Sequence, residues 1–488
     1  MKMICLSIAF GVQFMSLAQS DTSLVTDGPS GVLPFQLDIS KRLPAQELAE
    51  KKEGTFVTGL PRLELDPIRG AGVGGNIFVF WNQDKKDPFF EYTAYRHRLN
   101  AEFFAFQNGR FRYAINYDAP YIFNSPWRLR IDLVRWEDPN AQYWGIGQNS
   151  TPTLRFRDKT MGKVRDFDRV ALYEKNLSLA EIGTMGQFFT DHFFHSMEQR
   201  EQLYNVLGER VFLGGKLRLM VGYEALFTSF SSYQGRLVSD MPSLNGSRVT
   251  AVQRPTLVDI QKEDGTWDRF NLTGFTNSDS YQFTSMLAGA LIYDTRDFEP
   301  DPSNGLFLQY SHEYSAPWLG SNFNFHKFMV QGQLLKTLGH WKEGKGRITF
   351  AGLVAFGHVF GPQINFIEMW DLSSQAEAGG ILALGGSRSI RGFRETRFVA
   401  PTVGLINLEL RTRLVSFHFL KQHFSAGIVP FMDVGKVWDA PRNIDLKNWR
   451  GAPGIGTRIT WNQSTILRLD YGRSLEGGQL FFGFGHIF

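Results

Sequence analysis

Gly404-Leu405-Ile406-Asn407-Leu408-Glu409-Leu410-Arg411-Thr412 alternates without a break. In an extended chain Ile406, Leu408 and Leu410 fall on one side, and Asn407, Glu409 and Arg411 on the other, because successive strand side chains point to opposite faces. The same period recurs through the chain. Residues 127–136 set Trp127, Leu129, Ile131 and Leu133 against Arg128, Arg130 and Asp132. Residues 211–224 set Val211, Leu213, Leu217, Leu219, Val221 and Tyr223 against Lys216, Arg218 and Glu224. Residues 306–314 set Leu306, Leu308 and Tyr310 against Gln309, Ser311 and Glu313.

Alternation fits a soluble sandwich, with its apolar faces in a core, or a membrane barrel, with its apolar face to lipid and its polar face to a wet lumen. Three features favour the barrel. Runs of about ten residues or more suit a tilted membrane strand. Trp127, Trp136, Tyr143-Trp144, Trp318, Trp370, Trp438 and Trp461 sit at strand ends, where interfacial girdles lie. The chain also ends within such a run, with Leu480, Phe482, Phe484, His486 and Phe488 on one face. The expected fold is all-β, a transmembrane antiparallel β-barrel of about 16 strands over 70–488, an even number that closes without an open edge. Strands are placed at 70–81, 166–176, 185–198, 208–228 and 479–488, among others. Odd-to-even connections are then surface loops. Two are long, 229–280 and 361–401, while Asn108-Gly109 and Asn462-Gln463 read as periplasmic turns.

Composition agrees with many strands and turns. The 488 residues include 44 Phe and 49 Gly, and mean hydropathy is only −0.21 despite 43% hydrophobic residues. A net charge of +4, evenly spread, does not suggest a nucleic-acid partner. Residues 1–18 read as a secretory signal, with Lys2, an apolar core and Ser16-Leu17-Ala18 before the cut. Cleavage removes Cys5, the only cysteine, and with it disulfides and thiol catalysis. No later stretch is apolar for long enough to make a spanning helix. Residues 19–69 are polar and proline-dotted, with one short helix expected over 44–52. They read as a periplasmic arm.

The segment 361–401 carries Gly385-Gly386-Ser387-Arg388-Ser389-Ile390-Arg391-Gly392-Phe393. Its glycine pairs permit sharp bends. Strand parity points Glu409, Asp433 and Asp470 into the lumen, where an unpaired carboxylate is costly. Two solutions are open. The loop folds inward and Arg391 pairs with Asp433, with Asp470 or Glu409 as further partners. Alternatively Arg411 and Arg468 neutralise the acids across strands and the loop stays outside.

From Gly70 to Phe488 the chain resembles the barrel of the BamA/TamA superfamily, the bacterial surface antigen type. Ile390-Arg391-Gly392-Phe393 resembles that family's loop signature, and Tyr143-Trp144-Gly145-Ile146-Gly147 an early aromatic-glycine element. Asp294-Thr295-Arg296-Asp297 resembles the turn between its eighth and ninth strands. Phe431-Met432-Asp433-Val434-Gly435, Asp470-Tyr471-Gly472 and the Phe482, Phe484, Phe488 ending also fit. The resemblance implies an inward loop locked by Arg391, Gly392 and Phe393 against Asp433, and a salt-bridged periplasmic turn at Asp294, Arg296 and Asp297. It implies a C-terminal barrel signal at Phe482, Phe484 and Phe488, and a seam of first and last strands. It also implies residence in the outer membrane of a Gram-negative bacterium, with outer-membrane lipid and client or partner outer-membrane and periplasmic proteins as its company. The implied function is an insertase or translocon-type barrel. The alternatives are a scaffold or binding barrel, or a passive pore. POTRA domains usually precede such barrels, and 19–69 does not supply one, so the likeness is to the barrel-only branch.

No Gly-x-Ser-x-Gly, His-Glu-x-x-His or phosphate-loop pattern occurs, so no enzyme and no cofactor is expected. His192 and His195 share a face only on a helix and have no acidic or cysteine partner at fixed spacing, so no metal is expected there.

Overall fold

A computed structural model describes residues 24–28, 31–66, 70–147, 154–278, 280–341, 346–372, 381–462 and 464–488. Its frame is an antiparallel sheet closed into a barrel. The wall strands are β1 (Thr55–Asp66), β2 (Gly70–Trp81), β3 (His97–Phe106), β4 (Phe111–Ala119), β5 (Trp127–Gln142), β6 (Ser196–Phe212), β7 (Leu217–Ser231) and β8 (Gln282–Asp294). They continue as β9 (Gly305–Ser315), β10 (Asn324–Trp341), β11 (Gly346–Asn365), β12 (Thr402–Arg413, continued by Val415–Phe419), β13 (Gln422–Trp438), β14 (Arg450–Trp461), β15 (Thr465–Ser474) and β16 (Gly477–Phe484). Leu408 and Leu410 are exposed on the outer wall, while Asn407, Glu409 and Arg411 are buried inside. The alternation therefore has the sense a lipid-facing barrel requires.

The barrel begins at Thr55, not at Gly70. In 55–66 Phe56 and Thr58 are buried and Val57 and Leu63 exposed, so the period of two is present. Gly59 and Pro61 blur it, and proline in a strand marks an edge. The glycine-rich start of β2 is consequently not at the seam; it pairs with β1, Pro61 opposite Gly75. The extra first strand also moves Asn108-Gly109 to the side of the long loops, because it now joins β3 to β4.

The strands expected at 166–176 and 185–198 are corrected too. Residues Val170–Ser178 form a helix, α2, because Val170, Tyr173 and Leu177 bury one helical face. Residues 185–195 belong to the surface connection before β6. The run 208–228 is broken by a turn at Leu213–Gly215, where all three residues take left-handed φ. The two lost strands are made up by β1 and by the division of the run 208–228 between β6 and β7, so the total stays at sixteen. The last strand stops at Phe484 rather than at 488. Gly485 has φ +73, and Ile487 and Phe488 turn inward and are buried. Phe488 is thus off the face it was expected to share with Phe482 and Phe484, and its main-chain oxygen accepts from Arg411 at 2.9 Å.

At the seam, inward-facing residues of β1 and β2 meet outward-facing residues of β15 and β16. The Arg62 guanidinium lies 5.7 Å from the Phe482 ring, and Phe78 lies 5.7 Å from Phe484. Thr58 and Thr465 share a 2.7 Å hydroxyl hydrogen bond.

The arm is docked, not free. Leu33 and Leu37 pack with Phe89, Tyr92 and Tyr121 at the mouth of the barrel opposite the long connections. Asp38 pairs with Lys216 at 2.7 Å, and Arg42 with Glu91 at 2.6 Å. Glu47, in a short helix α1 (Ala45–Ala49), reaches Arg413 at 3.1 Å. Lys51 is buried, and its ammonium donates to the carbonyls of Phe90 and Thr93 over the Phe90 ring. Burial lowers the Lys51 pKa from 10.5 to about 7. Between those values an undocked arm holds more protons than a docked one, so raising the pH favours docking; below about 7 both are charged and the effect is flat. A fluorophore on Ala45→Cys is expected to become less mobile, by anisotropy, as pH rises from about 7 to about 10. Lys51→Met should abolish that dependence. A profile identical in both proteins would count against the buried lysine as its source.

Candidate functional site

The connection 366–401 joins β11 to β12 and turns back into the barrel. Leu384, Ile390 and Phe393 are buried with Val403, Leu405 and Val437 of the wall. Leu384 and Phe398 exchange two main-chain hydrogen bonds, 3.0 and 2.9 Å, which close the loop into a hairpin. Its tip lies against β15 with no room to spare. A Cβ at Gly472 would come within 1.9 Å of the Arg391 carbonyl oxygen. Gly392, at φ +139, takes a backbone shape that a side chain disfavours, and its carbonyl accepts from the Ser474 hydroxyl at 2.6 Å.

This seating delivers Arg391 to the acids of the wall. Its side chain is fully buried. Nε donates to Asp433 Oδ2 at 2.8 Å and Nη2 to Oδ1 at 2.9 Å, a two-pronged match of guanidinium to carboxylate. The Arg391 main-chain N–H adds a third bond to the same carboxylate at 3.0 Å. Nη1 donates to Glu409 at 2.8 Å and to Asp470 at 3.1 Å. The Phe431 ring lies beneath the guanidinium, 3.4 Å from its carbon to the ring centre. The three carboxylates outweigh the effect of burial and drive the Arg391 pKa upward, so it stays charged.

The structure brings Arg391, Glu409, Asp433 and Asp470 together and sets Gly392 and Phe393 at the loop tip. The two arrangements left open by strand parity coexist. Arg411 pairs with Glu409 at 2.8 Å and Arg468 with Asp470 at 3.0 Å while the loop is inside. Arg458, which the sequence reading passed over, bonds Asp470 at 2.5 Å and Glu409 at 3.3 Å. Its position was open to inference, since it faces inward on β14 by the same period. Phe431 shares the inward face of Asp433 by the period of two, but it was given no part. Gly472 was quoted for its likeness alone.

Further contacts hold the loop at the surface end. Arg397 pairs with Glu476 at 2.7 Å and Arg394 with Glu174 at 2.8 Å. Gly147 donates to the Val399 carbonyl at 2.9 Å, so the aromatic-glycine element braces the loop. Trp144 stacks on His195 at 4.2 Å. Both His195 nitrogens are engaged, by the Tyr173 hydroxyl and the Tyr143 carbonyl. At the turn between β8 and β9 Asp294 pairs with Arg296 at 3.1 Å and Arg218 at 2.9 Å. Asp297 accepts from the Ser303 hydroxyl at 2.5 Å and from the main chain of Ser303 and Asn304, shaping the turn.

Residues 215–486 match the Omp85 superfamily domain, more than half of the chain. The chain belongs to the Omp85 superfamily. Residues 33–96 match a domain of unknown function, DUF5982, which here takes in the arm, β1, β2 and the turn on which the arm rests. No curated protein matches. Among solved structures, the Omp85 barrel is similar to BamA from Haemophilus ducreyi lacking POTRA domains 1-3, at 12% identity and TM-score 0.44, over 89% of this chain and 70% of that one. It is similar to CdiB from Escherichia coli at 10% identity and TM-score 0.48, over 88% and 62%. CdiB from Acinetobacter baumannii aligns at 12% identity and TM-score 0.42, over 89% and 60%. The chain thus spans about three fifths to seven tenths of these proteins. As an Omp85 member it is an outer-membrane barrel of a Gram-negative bacterium.

Removing Arg391 would leave Asp433 buried without its cation, while Glu409 and Asp470 keep Arg411, Arg458 and Arg468; such a loss at a buried pair costs about 3–5 kcal/mol. Arg391→Ala and Asp433→Ala are each expected to lower the unfolding midpoint of the detergent-solubilised barrel, followed by its heat-modifiable gel mobility. The double variant should lose much less than the sum, because the two residues share their bonds. Arg391→Lys should rescue poorly, since an ammonium cannot repeat the planar fork. Additive losses would show that the pair does not act as one unit.

Proposed function

We propose that this barrel assists the assembly of outer-membrane proteins or the passage of polypeptides across the outer membrane. The observation that carries the reading is the reach of the arginine cluster along the wall. Arg391 ties the loop to β12, β13 and β15, and Arg458 adds β14. The cluster thereby holds the wall in shape up to the strand beside β16, where the barrel's first and last strands meet. A barrel stiff on one side of its seam can yield at the seam without losing its form. Pro61, which lacks an N–H, lies in the seam strand β1 and weakens it as a pairing partner. Client or partner proteins of the outer membrane and periplasm are the macromolecules this role requires.

Depletion of the protein followed by a census of outer-membrane proteins tests the reading. Selected barrel or secreted clients are expected to fall in the depleted cells. Unchanged levels would favour the second reading, a scaffold or binding barrel. One observation supports that alternative. The connections 143–195 and 232–281 build a folded surface cap that includes a four-stranded sheet, Glu181–Ile182, Phe188–Thr190, Leu237–Pro242 and Arg248–Gln253. A passive pore is the least favoured, because the arm and the inward loop occupy both ends of the lumen. Planar-bilayer conductance of the intact chain should stay near baseline and rise when 24–54 or the loop is removed.

A further inference from the structure

The outer wall between β9, β10 and β11 carries three of the chain's ten histidines within one aromatic patch. His312 and Tyr314 lie on β9, His326 on β10, His358 and Phe360 on β11, all facing outward near the surface-loop end of their strands. Tyr314 sits directly across from His326, and His312 across from Phe328, so the two histidines are diagonal neighbours. His312 Nε2 and His326 Nδ1 stand 3.2 Å apart. Their rings are parallel within 3°, with centres 5.2 Å apart. His326 is clamped between Tyr314, stacked at 4.5 Å, and Phe360, stacked at 5.3 Å. Trp318, 69% exposed, donates to the Tyr314 hydroxyl at 3.4 Å and marks the water boundary.

We propose that His312 and His326 form a two-histidine site for a divalent transition metal, copper(II) or zinc(II), at the surface-side rim of the lipid-facing wall. In a tetrahedral site with metal–nitrogen bonds near 2.0–2.1 Å, two ligand nitrogens stand about 3.3 Å apart. A square-planar copper site brings neighbouring nitrogens to roughly 2.9 Å. The observed 3.2 Å lies between these, and a metal would draw the two parallel rings into a tilt that brings both lone pairs to one point. Neutral imidazole binds metal through a bare nitrogen, and the bond made by the other nitrogen sets which one is bare. Among the described residues, neither His312 Nδ1 nor His326 Nε2 is held by a protein group. Both protons can therefore move to those outward nitrogens and leave the facing pair free. His358 differs, because its Nδ1 is committed to the Pro401 carbonyl and the Thr402 hydroxyl, at 3.0 and 2.9 Å. The His418–His423 pair at the periplasmic rim differs too. Its rings are inclined by 51°, and His418 Nε2 is taken by Glu50 at 3.0 Å. Among the described residues no three His, Cys, Asp or Glu side chains converge on one point, so the site is open, with water or lipid phosphate oxygens completing the metal's shell.

The test uses untagged full-length protein in detergent, titrated with copper(II) and followed by electron paramagnetic resonance, whose nitrogen splitting counts imidazoles. One copper per chain with two coupled nitrogens is expected. His312→Asn and His326→Asn should each weaken binding by about tenfold or more and leave one coupled nitrogen. His358→Asn and His418→Asn should change neither affinity nor splitting. Heat-modifiable mobility establishes that each variant is folded. Failure of the folded wild-type barrel to retain copper would overturn the site. So would retention unchanged by His312→Asn and His326→Asn, or lost with His418→Asn instead.

Discussion

A carboxylate lining a barrel must be neutralised or the barrel loses stability, and this chain places three of them within reach of one guanidinium. Asp433 receives three hydrogen bonds from Arg391, and Glu409 and Asp470 share its remaining arm. The rest of the interior is arranged so that this contact can be made. Gly472 gives up its side chain so that the loop backbone can lie flat on β15. Phe431 supplies an aromatic floor, and Asn407 bonds both Asp433 and the Ser389 carbonyl, at 2.7 and 2.8 Å. Four arginines against three acids leave the cluster with a small positive excess, so no carboxylate there lacks a cation.

The part of the fold legible in the sequence is the part where lipid and water press on opposite faces of one strand. On β12 the choice between Leu408 and Glu409 admits one orientation, and the same holds along β13 to β15. The sequence was misread where that contrast fades. In β1 a glycine and a proline interrupt the pattern. In α2, Val170 and Tyr173 were taken for strand residues, although with Leu177 their spacing is that of a helix face. The turn at Leu213–Gly215 hid inside an apolar run because its leucine occupies a left-handed conformation that local propensity argues against.

The candidate site divides in the same way. Arg391 and its acids could be named because charge balance demanded a cation and period two fixed which way the acids point. Arg458 obeys the same rule but needed the pairing of β14 with β15 to show that it meets Asp470, since Gly456 is the residue across from that aspartate. The arm was out of reach for another reason. Its ionic partners are scattered over the wall, and no local pattern connects them.

The docking of the arm also constrains how the molecule can be made. Glu47 finds Arg413 across 366 residues of chain, and Lys41 finds Asp294. Neither partner is in place until half of the wall's strands or more have been made, and contacts between such distant stretches carry a loop-closure cost that grows with their separation. The arm, which precedes the wall in the chain, can therefore take its seat only once those strands stand around its place.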